Sequence, residues 1–258
     1  MEQNYRFVFQ SNQFNGEIVP CTLALFNETV DSGAVAWKIA TRRAVAEAVA
    51  KGLDLTPWTR RSDFQQFCLK QEVKPRAGAA FRQKSMPEKL LTWTNDLKMW
   101  LPCFVFGARS FDPLPVLDKL NNPVLDAEGK PVKRRRRKLE GIHLSGLFMF
   151  DGDHLPMDPY EVFQRTQVAG FPWRIRLAHK TSSGEGLRLV AEWRLELGNI
   201  SDNQICLARD LNLLGVRGTT GKPVVDDSCI DACRISYAPC REDIYFIDEE
   251  NFFNQPFY

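Results

Sequence analysis

Asp151 and Asp153 stand on either side of Gly152 at the end of the apolar run Leu144–Phe150. On a strand, residues i and i+2 project to the same face, so the two carboxylates would lie side by side at a strand end. Like charges that close repel, and both ionise comfortably only with a cation between them. Oxygen donors of this kind favour Mg2+ or Mn2+. Gly152 leaves room for a close approach. Such a pair suits two-metal phosphoryl transfer, in which the ions activate the attacking oxygen and stabilise the leaving one. The same residues also read as a polar turn after a buried strand, and Asp-x-Asp occurs in glycosyltransferases and other metal enzymes.

A second segment, Ser182-Ser183-Gly184-Glu185-Gly186-Leu187-Arg188, joins small residues to a cation. Two glycines let backbone N–H groups turn toward an anion, and Ser183 adds a hydroxyl. Arg188 can meet a phosphate with two parallel N–H donors. An ordinary hairpin turn with an exposed arginine is the plainer reading. The third segment runs from Val224-Val225-Asp226 to Arg234. Asp226 is the candidate third carboxylate, with Asp227 and Asp231 as competitors. Arg234 either binds phosphate or pairs with Asp231.

The elements that must position these groups follow from periodicity. Leu144–Phe150, Trp173–His179 and Leu187–Leu195 read as strands, with a tight turn at 181–186. Asp158-Pro159-Tyr160-Glu161 opens a helix, and Ser201-Asp202-Asn203-Gln204 has the spacing of a capping box for a helix reaching about Leu214. Val224–Asp226, Arg234–Ala238 and Ile244–Ile247 read as short strands. The resulting order is strand, helix, strand, strand, helix, strand, the split βαβ arrangement of ferredoxin-like sheets. Upstream, residues 4–12 and 17–26 are expected to pair as strands, and 33–52 to form a helix ending at Gly52. Pro87–Leu97 reads as a helix and Trp100–Phe106 as a buried strand. Residues 53–95 are otherwise harder to read. Asn121–Val132 suggests an exposed hairpin or loop.

The chain has 258 residues, 44% hydrophobic and 26% charged, enough to bury a core. No run reaches the length of a membrane span, and Met1–Gln10 lacks a signal-peptide core, so a soluble cytoplasmic protein is expected. Seven scattered cysteines fit reduced thiols better than a disulfide framework. Net charge is only +2, but it is uneven. Lys133, Arg134, Arg135, Arg136, Arg137 and Lys138 form a basic run that reads either as a solvated loop or as a phosphate-backbone contact. Arg174, Arg176, Lys180 and Arg188 gather around the later strands. Cys229, Cys233 and Cys240 with His179 offer a zinc set of non-standard spacing, more readily explained as packed thiols. His154 is a loop histidine next to Asp153. Phe252, Phe253, Phe257 and Tyr258 either stack on bases or pack on the body.

The order of these segments resembles the three-motif signature of archaeo-eukaryotic primases, and more closely the VirE N-terminal domain family of bacterial mobile elements. The matching segments are Leu101-Pro102-Cys103-Phe104-Val105-Phe106, then Ser145-Gly146-Leu147 leading to Asp151-Gly152-Asp153. Ser183-Gly184-Glu185-Gly186-Leu187-Arg188 follows, then Asp226, Asp231 and Arg234-Ile235-Ser236-Tyr237-Ala238-Pro239. The resemblance spans about 100–248. Many superfamily members have His where Arg188 stands, and family chains usually have Asp where Ala238 stands, with Asp243 a nearby substitute.

The resemblance implies an α+β chain: a primase-polymerase core over 1–258. It would combine an N-terminal α/β unit (1–106), a basic loop region (107–140) and an RRM-like, ferredoxin-like antiparallel catalytic sheet (141–258). Asp151, Asp153 and Asp226 would bind Mg2+ or Mn2+. Ser183, Gly184, Gly186, Arg188 and Arg234 would hold the phosphates of a nucleoside triphosphate. Lys133, Arg134, Arg135, Arg136 and Arg137 would contact a single-stranded DNA template. The expected activity is template-directed primase or polymerase chemistry in replication of a mobile element, with a separate helicase as partner. One rival is a non-catalytic nucleic-acid-binding replication-initiation module, motivated by Arg188 and Ala238. The other is a different metal enzyme, such as a nuclease or nucleotidyl cyclase.

Overall fold

Leu147, Phe148, Met149 and Phe150 are all buried, because the strand they form is covered on both faces. That two-sided burial organises the molecule. The computed structural model describes residues 5–14, 17–225 and 231–254. In chain order the elements are β1 (Val8–Gln10), β2 (Val19–Pro20), α1 (Leu23–Val30), α2 (Gly33–Lys51), α3 (Thr56–Thr59), α4 (Ser62–Glu72), α5 (Ala77–Arg82) and α6 (Met86–Met99). Five strands follow: β3 (Cys103–Val105), β4 (Ala108–Phe111), β5 (Pro113–Pro115), β6 (Lys133–Arg135) and β7 (Ile142–Leu144). The remainder is β8 (Leu147–Gly152), α7 (Pro159–Gln164), β9 (Ile175–Lys180), β10 (Leu187–Glu192), α8 (Ile200–Asp210), β11 (Ser236–Tyr237), β12 (Ile244–Ile247) and α9 (Glu249–Asn254).

The chain is α+β, with two antiparallel four-stranded sheets ordered β11-β3-β1-β2 and β12-β9-β10-β8. In the second sheet, β10 inserts between β8 and β9, which α7 connects. After α8 the chain returns to the free edge of β8, where Gly152 bridges Val225 and the Asp153 N–H donates to the Val224 carbonyl at 2.8 Å. One face of this sheet, with Phe148, Phe150, Leu189 and Ala191, packs under Val162 and Phe163 of α7 and Leu207 and Ala208 of α8. The other face, with Leu147, Met149, Leu177 and Val190, meets Phe7, Phe104 and Phe106 of the first sheet. Each fully buried phenylalanine contributes about 1.5–3 kcal/mol through apolar area removed from water. A separate cluster of Phe64, Phe67, Phe81, Leu90 and Trp93, with Val45 of α2, holds the N-terminal helices together.

Local signals explain most boundaries. Gly52 adopts φ +63°, the left-handed conformation that ends α2 at the expected place. Ser85 and Glu88 form a reciprocal capping box that starts α6. Three expectations are corrected. The segment 17–26 is a strand only at Val19–Pro20; Thr22 then caps a helix by accepting from the Leu25 N–H at 3.2 Å. The box that opens α8 is Asn199 with Asp202, not Ser201 with Gln204, and the helix ends at Asp210. The strand expected over 144–150 is split by Gly146 at φ +76°, so β7 pairs with β4 while β8 enters the main sheet. Phe252 and Phe253 are core residues, which removes them as stacking platforms.

Candidate active site

Asp151, Arg188 and His179 are direct register partners across β8, β10 and β9. They share a face with Met149, Val190 and Leu177, but lie one pleat repeat nearer the strand ends, where the two sheets part. The apolar part of this face seals against the first sheet. The polar row opens into a cavity of about 560 Å³.

Asp151 forms an ion pair with the Arg188 guanidinium; their side chains are 4% and 11% exposed. Arg188 also donates to the Ser236 hydroxyl at 3.1 Å, tying β10 to β11 of the other sheet. Asp153 faces the same cavity. Burial raises the proton affinity of its carboxyl, and the Asp151 charge raises it further, against the opposing pull of Arg188, Lys98 and His154. His179 is 1% exposed. Its Nδ1 donates to the Lys180 carbonyl at 2.8 Å, and its Nε2 is buried without a partner. Burial and the neighbouring Arg188 push its pKa down to about 4, so it is neutral near pH 7.

Two amides of the turn after β9 are already engaged within the turn. The Gly184 N–H is spent on the Thr181 carbonyl at 2.9 Å, and the Glu185 N–H points to the Ser183 hydroxyl at 3.5 Å. Gly184 therefore shapes the turn rather than offering its amide, while the Gly186 carbonyl accepts from the Thr181 N–H at 2.9 Å. Gly184 sits at φ +87° against Arg43, and a Cβ on Gly186 would lie 2.6 Å from the Gly152 carbonyl oxygen. A Cβ on Gly152 would meet nothing nearer than 3.5 Å, so the close approach is made at Gly186. The residues of this turn that line the cavity are Thr181, Ser182 and Ser183.

Arg43 of α2 fixes the turn from outside. Its guanidinium donates to the Thr181 carbonyl at 2.8 Å and to both carboxylate oxygens of Asp243 at 2.9 and 2.8 Å. Asp243 is thus committed to Arg43 and does not stand in for the missing carboxylate at Ala238, itself a core residue. The cluster of Arg174, Arg176, Lys180 and Arg188 also dissolves. Arg176 and Arg174 belong to an ion-pair network with Glu192, Arg6 and Asp248 at the opposite end of the sheet.

Arg234, Asp231 and Arg137 complete the cavity among the expected groups. Asp226 and Cys229 lie outside the described residues, but Val225 bridging Gly152 brings the chain to the Asp151–Asp153 edge immediately before Asp226. Among the described residues no group of three or more His, Cys, Asp or Glu side chains is arranged to hold a metal, which leaves Cys233, Cys240 and His179 without a zinc set. His154 pairs with Glu185 at 2.7 Å.

Lys133, Arg134 and Arg135 form the exposed strand β6, and with Arg136 and Arg137 they line a second cavity of about 880 Å³. Arg137 and Gln13 line both cavities, so the cavity beside the basic strand adjoins the one that holds the carboxylates.

Sequence reasoning passed over two groups in the site. Arg42 of α2 and Lys98 of α6 both reach the carboxylate cavity from the helical layer. No motif marks them, because each is one more cation on a helix. The i, i+4 spacing of Lys38 and Arg42 on α2 is the one available hint. Tyr237 lies there too, its ring 5.0 Å from the Lys98 ammonium and its hydroxyl donating to Gln13. No protein-family model matches the chain, and neither a curated protein nor a solved structure matches it. Among the described residues, no helix is long and apolar enough to cross a membrane.

Proposed function

We propose that this chain is a template-directed primase or polymerase of the archaeo-eukaryotic primase type, acting on nucleoside triphosphates along single-stranded DNA in replication of a mobile element. The observation that carries this reading is the meeting of three separate segments in one cavity: Asp151 on β8 with Asp153 just past its end, Arg188 on β10, and the Ser182–Ser183 turn. The sheet order supports it, since β8, α7, β9, β10, α8 and the Val224–Val225 bridge follow a ferredoxin-like, RRM-like order with β12 appended.

The donor set fits a hard divalent cation. Two carboxylates face one cavity, and Asp153 carries a desolvation and like-charge penalty that a cation relieves. Asp151 and Asp153 would hold Mg2+ or Mn2+, with Asp226 the expected third ligand. When bound, the metal supplies charge neutralisation at the phosphates and acidifies the attacking 3′-hydroxyl. The reaction forms a bond from that oxygen to the α-phosphorus and releases pyrophosphate. The chain's own side chains orient the substrate. Ser182 and Ser183 donate to phosphate oxygens, Arg188 and Arg234 balance their charge, and the strand Lys133–Arg135 with Arg136 and Arg137 carries the template backbone. A separate helicase would supply unwound template.

The test is incorporation of labelled nucleotide on single-stranded DNA, with and without a primer, in Mg2+ and in Mn2+. Product that disappears in an Asp151→Ala/Asp153→Ala variant shown by its unfolding curve to be folded supports both the activity and its site. Product that persists in that variant overturns the site. One observation favours a second reading, a non-catalytic nucleic-acid-binding replication module: Arg188 already neutralises Asp151. Its mark is DNA binding with no incorporation.

A further inference from the structure

The walls of the carboxylate cavity are unequal. Asp151 and Asp153 stand on the sheet side, while Arg42 and Lys98 approach from the helical layer. Both cations are held in place. Arg42 Nη1 donates to Asn95 Oδ1 of α6 at 2.6 Å, and Lys38, one turn before it on α2, donates to the Trp100 carbonyl at the end of α6 at 2.7 Å. Lys98 follows Asn95 by three residues, so it lies on the same face of α6 as the residue that anchors Arg42. Its ammonium rests 5.0 Å above the Tyr237 ring. The Arg42 Nε is buried without a partner.

Charge makes this arrangement costly when empty. Burial lowers the proton affinity of Lys98, and the charges of Arg42 and Arg188 lower it further, despite Asp153 and Asp151. Five cations line the cavity (Arg42, Lys98, Arg137, Arg188 and Arg234) against three described carboxylates, Asp151, Asp153 and Asp231. Like charges gathered in a partly desolvated cleft focus potential on an anion that enters it. Among the described residues the cations outnumber the carboxylates, and Asp151 is already paired with Arg188.

We propose that Arg42 and Lys98 form an anion subsite that grips the polyphosphate tail of the nucleotide from the helical layer, opposite the serines of the 181–186 turn. The assignment rests on the polymerase reading for the identity of the nucleotide, but the subsite itself is a claim about phosphate binding. A polyphosphate matches it better than a single phosphate, because it brings more negative charge into a cavity lined by five cations. Arg42 would contribute a fork of donors and Lys98 a point charge.

The experiment measures binding of inorganic tripolyphosphate to the full chain in the presence of a chelator, for wild type, Arg42→Gln, Lys98→Met and the double variant. A single-stranded oligonucleotide is titrated in parallel. The expected result is about tenfold weaker tripolyphosphate binding in each single variant and its loss in the double variant, with oligonucleotide affinity within about threefold of wild type. Lys98→Arg keeps the charge and is expected to keep binding, which separates loss of the cation from loss of the fold. Unchanged tripolyphosphate binding in a folded double variant overturns the subsite, as does no binding by wild type. Loss of oligonucleotide affinity with tripolyphosphate binding intact also overturns it and assigns the two cations to the nucleic-acid strand. If wild type fails to incorporate nucleotide yet binds tripolyphosphate through Lys98, the polymerase reading falls and the subsite stands.

Discussion

Asp151 and Arg188 face each other across β8 and β10 as direct register partners, and their ion pair is buried at the floor of the cleft. Neither can be removed without stranding the other. Arg188→Ala is expected to lower stability by about 3–5 kcal/mol, the usual cost of leaving a buried charge unpaired. Urea unfolding at pH 7 measures it. Arg188→Lys keeps the charge but gives up the hydrogen bond to Ser236, and should fall between wild type and Arg188→Ala. A change of under about 1 kcal/mol for Arg188→Ala would mean that the pair is solvated in solution.

Gly186 and Gly152 are adjacent in the turn region but unequal in their tolerance. A methyl on Gly186 collides with the Gly152 carbonyl and, at 2.8 Å, with the Thr181 hydroxyl; a methyl on Gly152 is at ordinary van der Waals distance. Gly186→Ala should therefore cost at least about 1–3 kcal/mol, while Gly152→Ala stays under about 1 kcal/mol. Thermal unfolding of the two variants compares them directly. Equal effects would show that the turn relaxes freely around residue 186.

His179 makes stability depend on pH. Its folded pKa, about 4, lies below the ordinary 6.5, so between these values the unfolded chain binds more protons than the folded one. Stability contributed by this group is full above pH 6.5 and falls as pH drops toward 4, by about 3 kcal/mol in all. Unfolding free energies measured across that range should show a steeper fall for wild type than for His179→Leu. Parallel slopes would mean that the imidazole is solvated or paired.

The basic strand β6 is exposed and stands outside the core, so its charges can be removed without cost to the fold. Lys133→Gln/Arg134→Gln/Arg135→Gln is expected to weaken single-stranded DNA binding. It should also flatten the salt dependence by about 0.7 in log–log slope for each phosphate that these cations neutralise. Fluorescence anisotropy at several salt concentrations reads both effects. An unchanged slope would place the strand outside the nucleic-acid path.

Much of this arrangement is legible in the sequence where the signal is local. Periodicity marks β9 and β10, Gly52 ends α2, and the apolar run leading into Asp151 marks β8, at whose end Asp151 and, one residue past the strand, Asp153 line the cavity. Composition likewise marks the basic run and the small-residue turn. What the sequence cannot supply is which distant surfaces meet, because that depends on apolar burial summed over the chain. The first sheet closes on Met149, Leu177 and Val190 through Phe7, Phe104 and Phe106, and beyond this closure Asp151 and Arg188 line the cleft. Only packing turns Arg188 toward Asp151, spends Asp243 on Arg43, and withdraws Arg176 into a separate network. Only packing brings Arg42 and Lys98, cations with no motif around them, across from the carboxylates, because α2 and α6 must first bury their own apolar faces against each other and the helices around them.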